Sequence, residues 1–398
     1  MGRKDLRNCP PAIILGRPNA NLLGQVRALG RQGVRVYCVL TRGEPPVIAR
    51  LSRYVNKLVV VQHASDEEIV DAILKLCDQD QDRPVLFFGG DYDITLAARL
   101  WPRIQSRVTA VTPPEEASRF NDKACQVERV LERGEGVAAP RTLVLETVED
   151  IARVASELTF PVICRPVELA RKGRFEGKMF VAYDDETLRK RLSPIFSDGA
   201  RGEVLVQEYI AGGNDQLYFA LASCGDGGTV EAMVTGRKLY EYPEGLMCVG
   251  ETVNNEALSD AARKVFQAFG LPGVLGVEFK YDSERGDYYF IEVNFRPENI
   301  LSIAERAGVN SVLHAYLRAI GKSEWFSASE QPYGTLWRDV SLILLSRLTG
   351  GKPPTHPLAG RKQVDAYWAW SDPLPAIGWY FVKIGRVIKG ILSGRTFE

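Results

Sequence analysis

The chain has 398 residues, 45% of them hydrophobic and 25% charged, which is typical of a globular protein with about two or three domains. Its 50 basic residues balance its 50 acidic ones, and this neutrality gives no reason to expect a nucleic-acid partner. Seven scattered cysteines and only three histidines argue against a zinc centre or a disulfide framework and for a reducing cytoplasm. We expect neither a secretory signal nor a membrane span, because no apolar run has the required form or length.

The first 120 residues alternate strands and helices. Strands are predicted at 11–16, 34–40, 57–62 and 84–90, and helices at 18–33 and 66–77. Such alternation is typical of βαβ units around a parallel sheet, so this part is expected to be a small doubly wound α/β domain. Its first βα turn reads GRPNAN rather than GxGxxG, which disfavours a dinucleotide-dependent oxidoreductase.

From Asn121 onward the pattern changes to a mixed α+β arrangement, followed by long antiparallel strands. Helices at 122–134, 147–157 and 185–191 are interspersed with strands at 142–145, 161–167, 179–183 and 203–210. Further strands are predicted at 215–224, 229–237, 273–281 and 288–296, with helices at 258–269 and 302–320. Residues 330–398 contain no clear repeat or motif.

The segments GVLGVEFKYD (273–282) and YYFIEVNFR (288–296) predict a β-hairpin. The expected closing pair is Asp282 with Tyr288. Side chains alternate between the two faces of a strand, so the even-numbered positions of both segments are expected on one face.

That face is unusually polar. In the expected register Glu278 lies directly opposite Glu292, and two carboxylates in register repel each other unless something neutralises them. Mg²⁺ accepts oxygen ligands such as these carboxylates and the Asn294 amide. Arg296, two residues further, is suited to a phosphate or carboxylate. The alternative is a solvated sheet face in another register.

Other basic residues precede this hairpin. Lys123 opens a helix in FNDKACQ and is placed to reach a phosphate, although a surface lysine is the common alternative. Arg165 lies inside the apolar strand VICRP, where a guanidinium requires an anion or a buried ion pair. The stretch RKGRFEGK, with Gly173 and Gly177, is either a loop that covers phosphates with backbone N–H groups or a hairpin loop without that role.

The segment VQEYI (206–210) has the form of a hinge between two lobes. Its backbone and Glu208 are placed to read the edge of an adenine. Asp215 follows after AGGN and is placed to bind a ribose hydroxyl, although a loop aspartate often only forms a turn.

The order NDK, PVICRP, glycine-rich loop, VQEYI, GVEF and FIEVNFRP resembles the ATP-grasp superfamily over roughly residues 11–320. GRPNANLLGQVRALGRQG and SRYV look most like the branch of D-aspartate ligase and related carboxylate–amine ligases. The resemblance implies a Rossmann-like pre-ATP-grasp domain followed by a two-lobed ATP-grasp fold with antiparallel sheets. The expected parts are the Rossmann-like domain at 1–120, the small lobe at 121–205, the large lobe at 206–325 and a C-terminal extension at 326–398.

The resemblance also implies residue roles, with ATP and Mg²⁺ (or Mn²⁺) as cofactors. The implied nucleotide-binding residues are Lys123, Arg165, Gly173, Gly177, Gln207, Glu208, Tyr209, Ile210 and Asp215. The implied metal ligands are Glu278, Glu292 and Asn294. The implied catalytic residues, beside the reacting groups, are Arg296, Lys238 and Arg237.

Two positions depart from the superfamily pattern. Arg165 stands where most members have lysine, which keeps the charge but changes the geometry of phosphate binding. The segment after Arg296 reads PENI where many relatives have small residues, so Glu298 and Asn299 are expected to shape the substrate pocket. Residues 240–257 are also expected to contribute there, without assigned roles.

The function that the resemblance implies is an ATP-dependent carboxylate–amine ligase that acts through an acyl-phosphate on amino-acid-like substrates. Its expected partners are therefore a small-molecule carboxylate and an amine. The alternatives are another ATP-grasp reaction, of carboxylase or carbamoyl-phosphate type, and a non-catalytic nucleotide-binding protein.

The segment 375–392 predicts an amphipathic C-terminal helix. Its apolar face carries Ile377, Phe381, Ile384, Ile388 and Ile391, and its basic side carries Lys383, Arg386 and Lys389. Packing against the protein's own body or against a second subunit of a homodimer is the favoured interpretation. An interfacial membrane helix is the less favoured one.

Overall fold

The computed structural model describes residues 6–41, 45–63, 65–80, 82–166, 175, 179–196, 204–242, 245–326, 334–353 and 362–392, with the side chains of the helix up to residue 386. Three β-sheets organise these residues, one of five strands, one of four and one of seven. The predicted combination of a parallel N-terminal sheet with later antiparallel sheets is confirmed.

The N-terminal sheet has the strand order β3-β2-β1-β4-β5, and all its pairings are parallel. Its strands are β1 (Ala12–Gly16), β2 (Val36–Leu40), β3 (Val55–Val60), β4 (Val85–Phe88) and β5 (Thr109–Ala110). The helices are α1 (Ala20–Gly30), α2 (Val47–Leu51), α3 (Asp66–Cys77), α4 (Asp91–Ile104) and α5 (Pro114–Arg119). Strands β1, β2 and β4 are wholly buried, as expected for a parallel sheet covered by helices on both faces.

A four-stranded antiparallel sheet of order β6-β9-β7-β8 follows. Its elements are α6 (Lys123–Arg133), β6 (Thr142–Leu145), α7 (Ile151–Glu157), β7 (Val162–Pro166), β8 (Phe180–Ala182), α8 (Asp185–Phe196) and β9 (Val204–Glu208). A separate apolar core, which includes Val162, Leu188 and Val206, lies between this sheet and its helices. The sheet therefore has a core of its own.

The seven-stranded sheet has the order β14-β13-β10-β11-β12-β15-β16. Its strands are β10 (Leu217–Cys224), β11 (Val230–Glu241), β12 (Met247–Thr252), β13 (Gly273–Asp282), β14 (Asp287–Asn294), β15 (Leu336–Arg338) and β16 (Gln363–Asp365). The helices are α9 (Glu256–Phe269), α10 (Leu301–Arg306), α11 (Ser311–Ala319), α12 (Val340–Leu348) and α13 (Leu374–Leu392).

The structure differs from the sequence prediction in three parts of this region. Strand β12 lies in the segment 240–257, which was expected to be loop. The single helix expected at 302–320 is two helices, and Gly308 between them has a φ of +95°, a conformation that glycine adopts without a steric penalty. Strands β15 and β16, from the C-terminal part without a motif, extend the large sheet.

The hairpin β13–β14 contains a bulge that the sequence did not reveal. Its end pair is Asp282 with Asp287, one residue away from the expected closing pair, and the register shifts at Ile291. Beyond that extra residue, Glu278 pairs with Glu292 as predicted. The bulge changes which face each side chain occupies.

Before the bulge, the even-numbered Tyr288 and Phe290 point into the main apolar core, whereas after it the odd-numbered Val293 and Phe295 do so. The prediction of one face for all even positions is therefore wrong for the first two and correct for Glu292 and Asn294. This core also contains Leu15 of β1, so the N-terminal sheet and the large sheet share one apolar interior.

Candidate active site

A cleft of about 520 Å³ lies between the four-stranded sheet and strands β13 and β14 of the large sheet. Nine of the predicted site residues line it: Lys123, Arg165, Gln207, Glu208, Tyr209, Ile210, Lys238, Glu278 and Glu292. A larger cavity of about 620 Å³, between the end of α1, α10 and β16, contains none of them. We take the smaller cleft as the candidate site, because convergent charges indicate function better than volume does.

The two facing glutamates at the floor of the cleft are each paired with a lysine. Glu278 accepts a hydrogen bond of 2.7 Å from Lys238 Nζ, which also lies 3.2 Å from Glu241. Glu292 forms an ion pair with Lys123, at the first position of α6. Asp122 caps that helix by accepting from the N–H groups of Ala124 and Cys125, which fixes the direction in which Lys123 enters the cleft.

These ion pairs shift the pKa values of their members. The positive charge of Lys123 lowers the pKa of Glu292 to about 2, against the opposing effect of burial. Burial disfavours the charged form of Lys238, but the carboxylates of Glu278 and Glu241 outweigh this effect and raise its pKa above the ordinary value. Glu292 and Lys238 are therefore both charged at neutral pH.

Arg165 reaches the cleft from β7 and donates a hydrogen bond of 2.6 Å from Nη2 to Gln207 Oε1 on β9. Its Nε is buried and has no hydrogen-bond partner among the described residues. Burial also lowers the pKa of Arg165. A partly buried guanidinium whose Nε donor is buried and unused is energetically unfavourable without an anion, so this side chain is suited to a bound phosphate.

The predicted hinge lies at one end of the cleft, where β9 ends at Glu208. The Glu208 side chain accepts a hydrogen bond of 3.1 Å from Thr159 N, and the Tyr209 N–H donates to Pro161 O. Ile210 is buried. Asp215 lies in the short turn Asn214–Gln216 beyond the hinge and is absent from the residues that line the described cleft.

Arg296 and Asn294 form a second cluster next to the cleft. Arg296 donates to both carboxylate oxygens of Asp91, at the start of α4, and to Asn294 Oδ1 at 3.1 Å. Asn294 in turn donates from Nδ2 to Glu298 Oε1 at 3.3 Å. Burial and the nearby charge of Glu278 raise the pKa of Glu298 to about 8.

Glu298 fits at this place because Gly276 on the facing strand has no side chain. A Cβ at position 276 would lie 1.9 Å from Glu298 Oε1. Glu298 is therefore a buried carboxyl that packs against strand β13. The expected part of Glu298 and Asn299 in the substrate pocket stays a prediction.

Arg237 does not reach the described cleft. It donates from Nε to Glu251 Oε1 at 2.8 Å, across the β11–β12 pair. Gly173 and Gly177 lie outside the described residues, so their expected role stays a prediction.

The predicted metal ligands suit Mg²⁺ in donor chemistry. Two carboxylates face each other in register and an amide oxygen follows on the same strand, which is an oxygen-only set. In the described part of the chain, no group of three or more His, Cys, Asp or Glu side chains converges as a metal site. An Mg²⁺ site here would therefore need oxygen ligands beyond the protein's two carboxylates, such as phosphate oxygens.

Two important residues were missed or left without a role. Lys280, on the same face of β13 as Glu278, lines the cleft and donates to the carbonyls of Gly212 and Gly213 at 2.7 Å. The sequence could have indicated Lys280, because positions 276, 278 and 280 alternate along the strand and therefore share one face. Asp91, the partner of Arg296, carried no sequence signal, because only the tertiary fold brings it near.

Comparisons with known proteins show which fold this chain shares. A family model described as ATP-grasp in the biosynthetic pathway with Ter operon matches residues 204–339. N5-carboxyaminoimidazole synthetase from Staphylococcus aureus superposes with a TM-score of 0.60 at 13% identity, over 82% of this chain and 81% of that one. L-amino acid ligase from Bacillus licheniformis gives a TM-score of 0.60 at 16% identity, over 83% and 79%.

A third similar structure is the biotin carboxylase domain dimer of Hydrogenobacter thermophilus 2-oxoglutarate carboxylase, in complex with MgADP, ADP and bicarbonate. Its TM-score is 0.61 at 17% identity, over 81% of this chain and 73% of that one. At such identities these likenesses show the shared fold. The narrower likeness to the D-aspartate ligase branch stays a prediction. The family match over residues 204–339 and the fold shared over most of the chain together show that this chain is similar to ATP-grasp proteins and has their fold.

Proposed function

We propose that this protein is an ATP-dependent carboxylate–amine ligase that forms an amide through an acyl-phosphate and releases ADP and phosphate. The observation that carries the proposal is the pair Glu278–Glu292, in register at the floor of a cleft that also holds Lys123, Lys238 and Arg165. Paired carboxylates can bind a metal ion and the basic side chains can bind phosphates, so these residues together fit a nucleoside triphosphate with its metal ion.

In the proposed complex, the adenine lies at the hinge formed by Gln207, Glu208, Tyr209 and Ile210. The phosphates extend toward Arg165, whose buried Nε has an unused donor, and toward Lys123 and Lys238. Glu278, Glu292 and Asn294 would hold Mg²⁺, which supplies charge neutralisation at the transferred phosphoryl group. Arg296 would face the substrate carboxylate. Asp215 would bind a ribose hydroxyl, and Arg237 would lie near the phosphates or the substrate.

The reaction needs no protein nucleophile. A carboxylate oxygen attacks the γ-phosphorus of ATP, the bond to the β–γ bridging oxygen breaks, and ADP leaves with the electron pair. The amine nitrogen then attacks the acyl carbon, phosphate leaves, and the amine proton passes to solvent or to the departing phosphate. The residues of this chain contribute by orienting the reactants and balancing the charge that develops.

A second candidate is a carboxylation in which bicarbonate takes the place of the organic carboxylate. Two of the similar structures are a carboxyaminoimidazole synthetase and a carboxylase domain with bound bicarbonate. The chemistry of the first step is the same, since bicarbonate also attacks the γ-phosphorus.

The test is ADP and phosphate release by the purified protein with ATP, Mg²⁺ and panels of amino acids, other carboxylates and amines, followed by mass spectrometry of the products. We expect release that depends on one carboxylate and one amine, with a product mass equal to their sum minus water. Release that depends on bicarbonate, with a carboxylated product, would favour the second candidate. Absence of release with every panel would contradict both.

The Glu292→Gln variant tests the proposed metal role. It keeps the side-chain volume but removes one carboxylate of the proposed metal set, so ADP release should fall by at least about 10²-fold. Glu135→Gln, at an exposed position, is the matched control and should behave like the wild type. Equal activity of the two variants would contradict the proposed metal role.

A further inference from the structure

The C-terminal helix α13 presents an apolar stripe outward. Leu374, Ile377, Phe381 and Ile384 are spaced on one side of the helix, and all four are exposed, with Phe381 at 73%. Trp370, which precedes the helix, is 87% exposed. Single exposed apolar residues are common, whereas a continuous row of large ones marks an interaction surface.

The opposite side of α13 fixes this orientation. Ala376 and Trp379 are buried, and the Trp379 ring stacks on Tyr367 with ring centroids 5.1 Å apart. The hydroxyl of Tyr380 donates to Asp365 at 3.1 Å. At Gly378 the helix approaches α2 so closely that a Cβ would lie 2.4 Å from Val47.

The protein's own described body therefore packs on the other side of the helix, not on the stripe. Of the two forms of the favoured sequence interpretation, packing of this apolar face against the protein's own body is wrong for Ile377, Phe381 and Ile384 in the described part of the chain. Packing against a second subunit stays a prediction. A surface outside the described part of the chain must cover them, or they remain in water.

The charge of the helix distinguishes between two partners that could cover the stripe, a second copy of this chain and a lipid surface. The 19 residues of α13 include three basic residues, Lys383, Arg386 and Lys389, and no acidic residue. By helical spacing these positions flank or oppose the stripe, the arrangement of helices that lie in a membrane interface. A second copy of this helix would carry the same net positive charge and repel it, whereas anionic lipid headgroups attract it.

We propose that α13 docks this protein on the surface of an anionic lipid bilayer, with the stripe in the boundary between headgroups and acyl chains. None of the described helices is long and apolar enough to cross a membrane, so the helix lies in the plane of the surface. This inference does not depend on the proposed ligase activity.

The experiment is sedimentation of the full chain with vesicles of phosphatidylcholine alone and with vesicles of equal parts phosphatidylcholine and phosphatidylglycerol. The wild type should bind the anionic vesicles at least about tenfold more tightly than the neutral ones. The double variant Phe381→Ser with Ile384→Ser removes the stripe, and Lys383→Gln with Arg386→Gln removes charge. Each should reduce binding by about tenfold or more.

The matched control is Leu131→Ser with Val148→Ser, two exposed apolar positions in α6 and between β6 and α7, which should leave vesicle binding unchanged. Light scattering without lipid gives the oligomeric state of every variant, and circular dichroism verifies that each variant is folded. The proposal is overturned if the wild type does not bind anionic vesicles or if the stripe variant binds them equally well. It is also overturned if the stripe variant only converts a dimer into a monomer.

Discussion

Arg296 and Asp91 are 205 positions apart in the chain and form two parallel hydrogen bonds of 2.8 Å each. Asp91 begins helix α4 of the N-terminal domain, and Arg296 follows strand β14 of the large sheet. A bidentate pair of this kind fixes both the position and the plane of a guanidinium. The N-terminal domain thus orients a residue that we assign to the substrate carboxylate.

Replacement of Asp91 by alanine should lower the kcat/KM for the carboxylate substrate by about tenfold, because Arg296 loses its anchor. The melting temperature should also fall, because the Arg296 side chain is only 18% exposed and loses both hydrogen bonds to Asp91. Asp66→Ala, which breaks the similar bidentate pair with Arg99 on the same domain, is the control. Equal losses of activity in the two variants would contradict the orienting role.

Replacement of Arg165 by methionine should weaken the binding of a non-hydrolysable ATP analogue by at least about tenfold, as measured by calorimetry. Without nucleotide, the same variant should be no less stable than the wild type, because a partly buried cation with a buried, unused Nε donor is removed. Arg165→Lys keeps the charge without the planar fork and should bind with intermediate affinity. A methionine variant with undiminished affinity would exclude Arg165 from the nucleotide site.

Lys280 should be needed to hold the loop that follows the hinge, at Gly212 and Gly213, which we call the hinge loop. Its ammonium group donates to the carbonyls of Gly212 and Gly213, and Lys280→Met leaves both without this partner. We expect a loss of about 1–3 kcal/mol in the free energy of unfolding, together with weaker binding of the ATP analogue. Lys75→Met, on the exposed side of α3, should change neither quantity, and a Lys280 variant with the same result would contradict the role.

The free energy of unfolding at acidic pH should depend on Glu292. Its pKa is lowered to about 2 in the folded protein, whereas an unfolded glutamate titrates near 4.3. Between these values the unfolded state binds more protons, so the stabilisation by the Lys123 pair is complete above about pH 4.3 and lost as the pH falls toward 2.

Urea denaturation across this range, without added metal, compares the wild type with Glu292→Gln. The difference between their free energies of unfolding should shrink as the pH falls through this window. A difference that does not change with pH would show that the Glu292 pKa is not lowered in the folded state.

The local sequence was sufficient to predict the strands and helices with regular hydrophobic periodicity. Helix α3 begins and ends where its pattern predicts, at Asp66 and Cys77. Strands β15 and β16 are only three residues long, too short for a period to be recognised, and their pairing in the large sheet depends on distant segments. The break between α10 and α11 is a backbone turn at Gly308, which a glycine permits but does not require.

The same division applies to the candidate site. The facing pair Glu278–Glu292 followed from the spacing of two adjacent segments, although a bulge at Ile291 compensates for a closing pair one residue away from the expected one. The contacts of Lys123 with Glu292 and of Arg165 with Gln207 join separate elements. Residue types suggested these side chains as phosphate ligands but did not identify their partners.

By itself, the sequence determined the class of fold, the order of the elements that we propose bind the nucleotide, and the two carboxylates at the centre of the cleft, because these depend on short-range periodicity and motif order. The tertiary structure decided that Asp91 orients Arg296, that Lys280 holds the hinge loop and that the apolar side of α13 faces outward. These relationships depend on which surfaces meet when distant segments pack, and the free energy of that packing is a property of the whole chain.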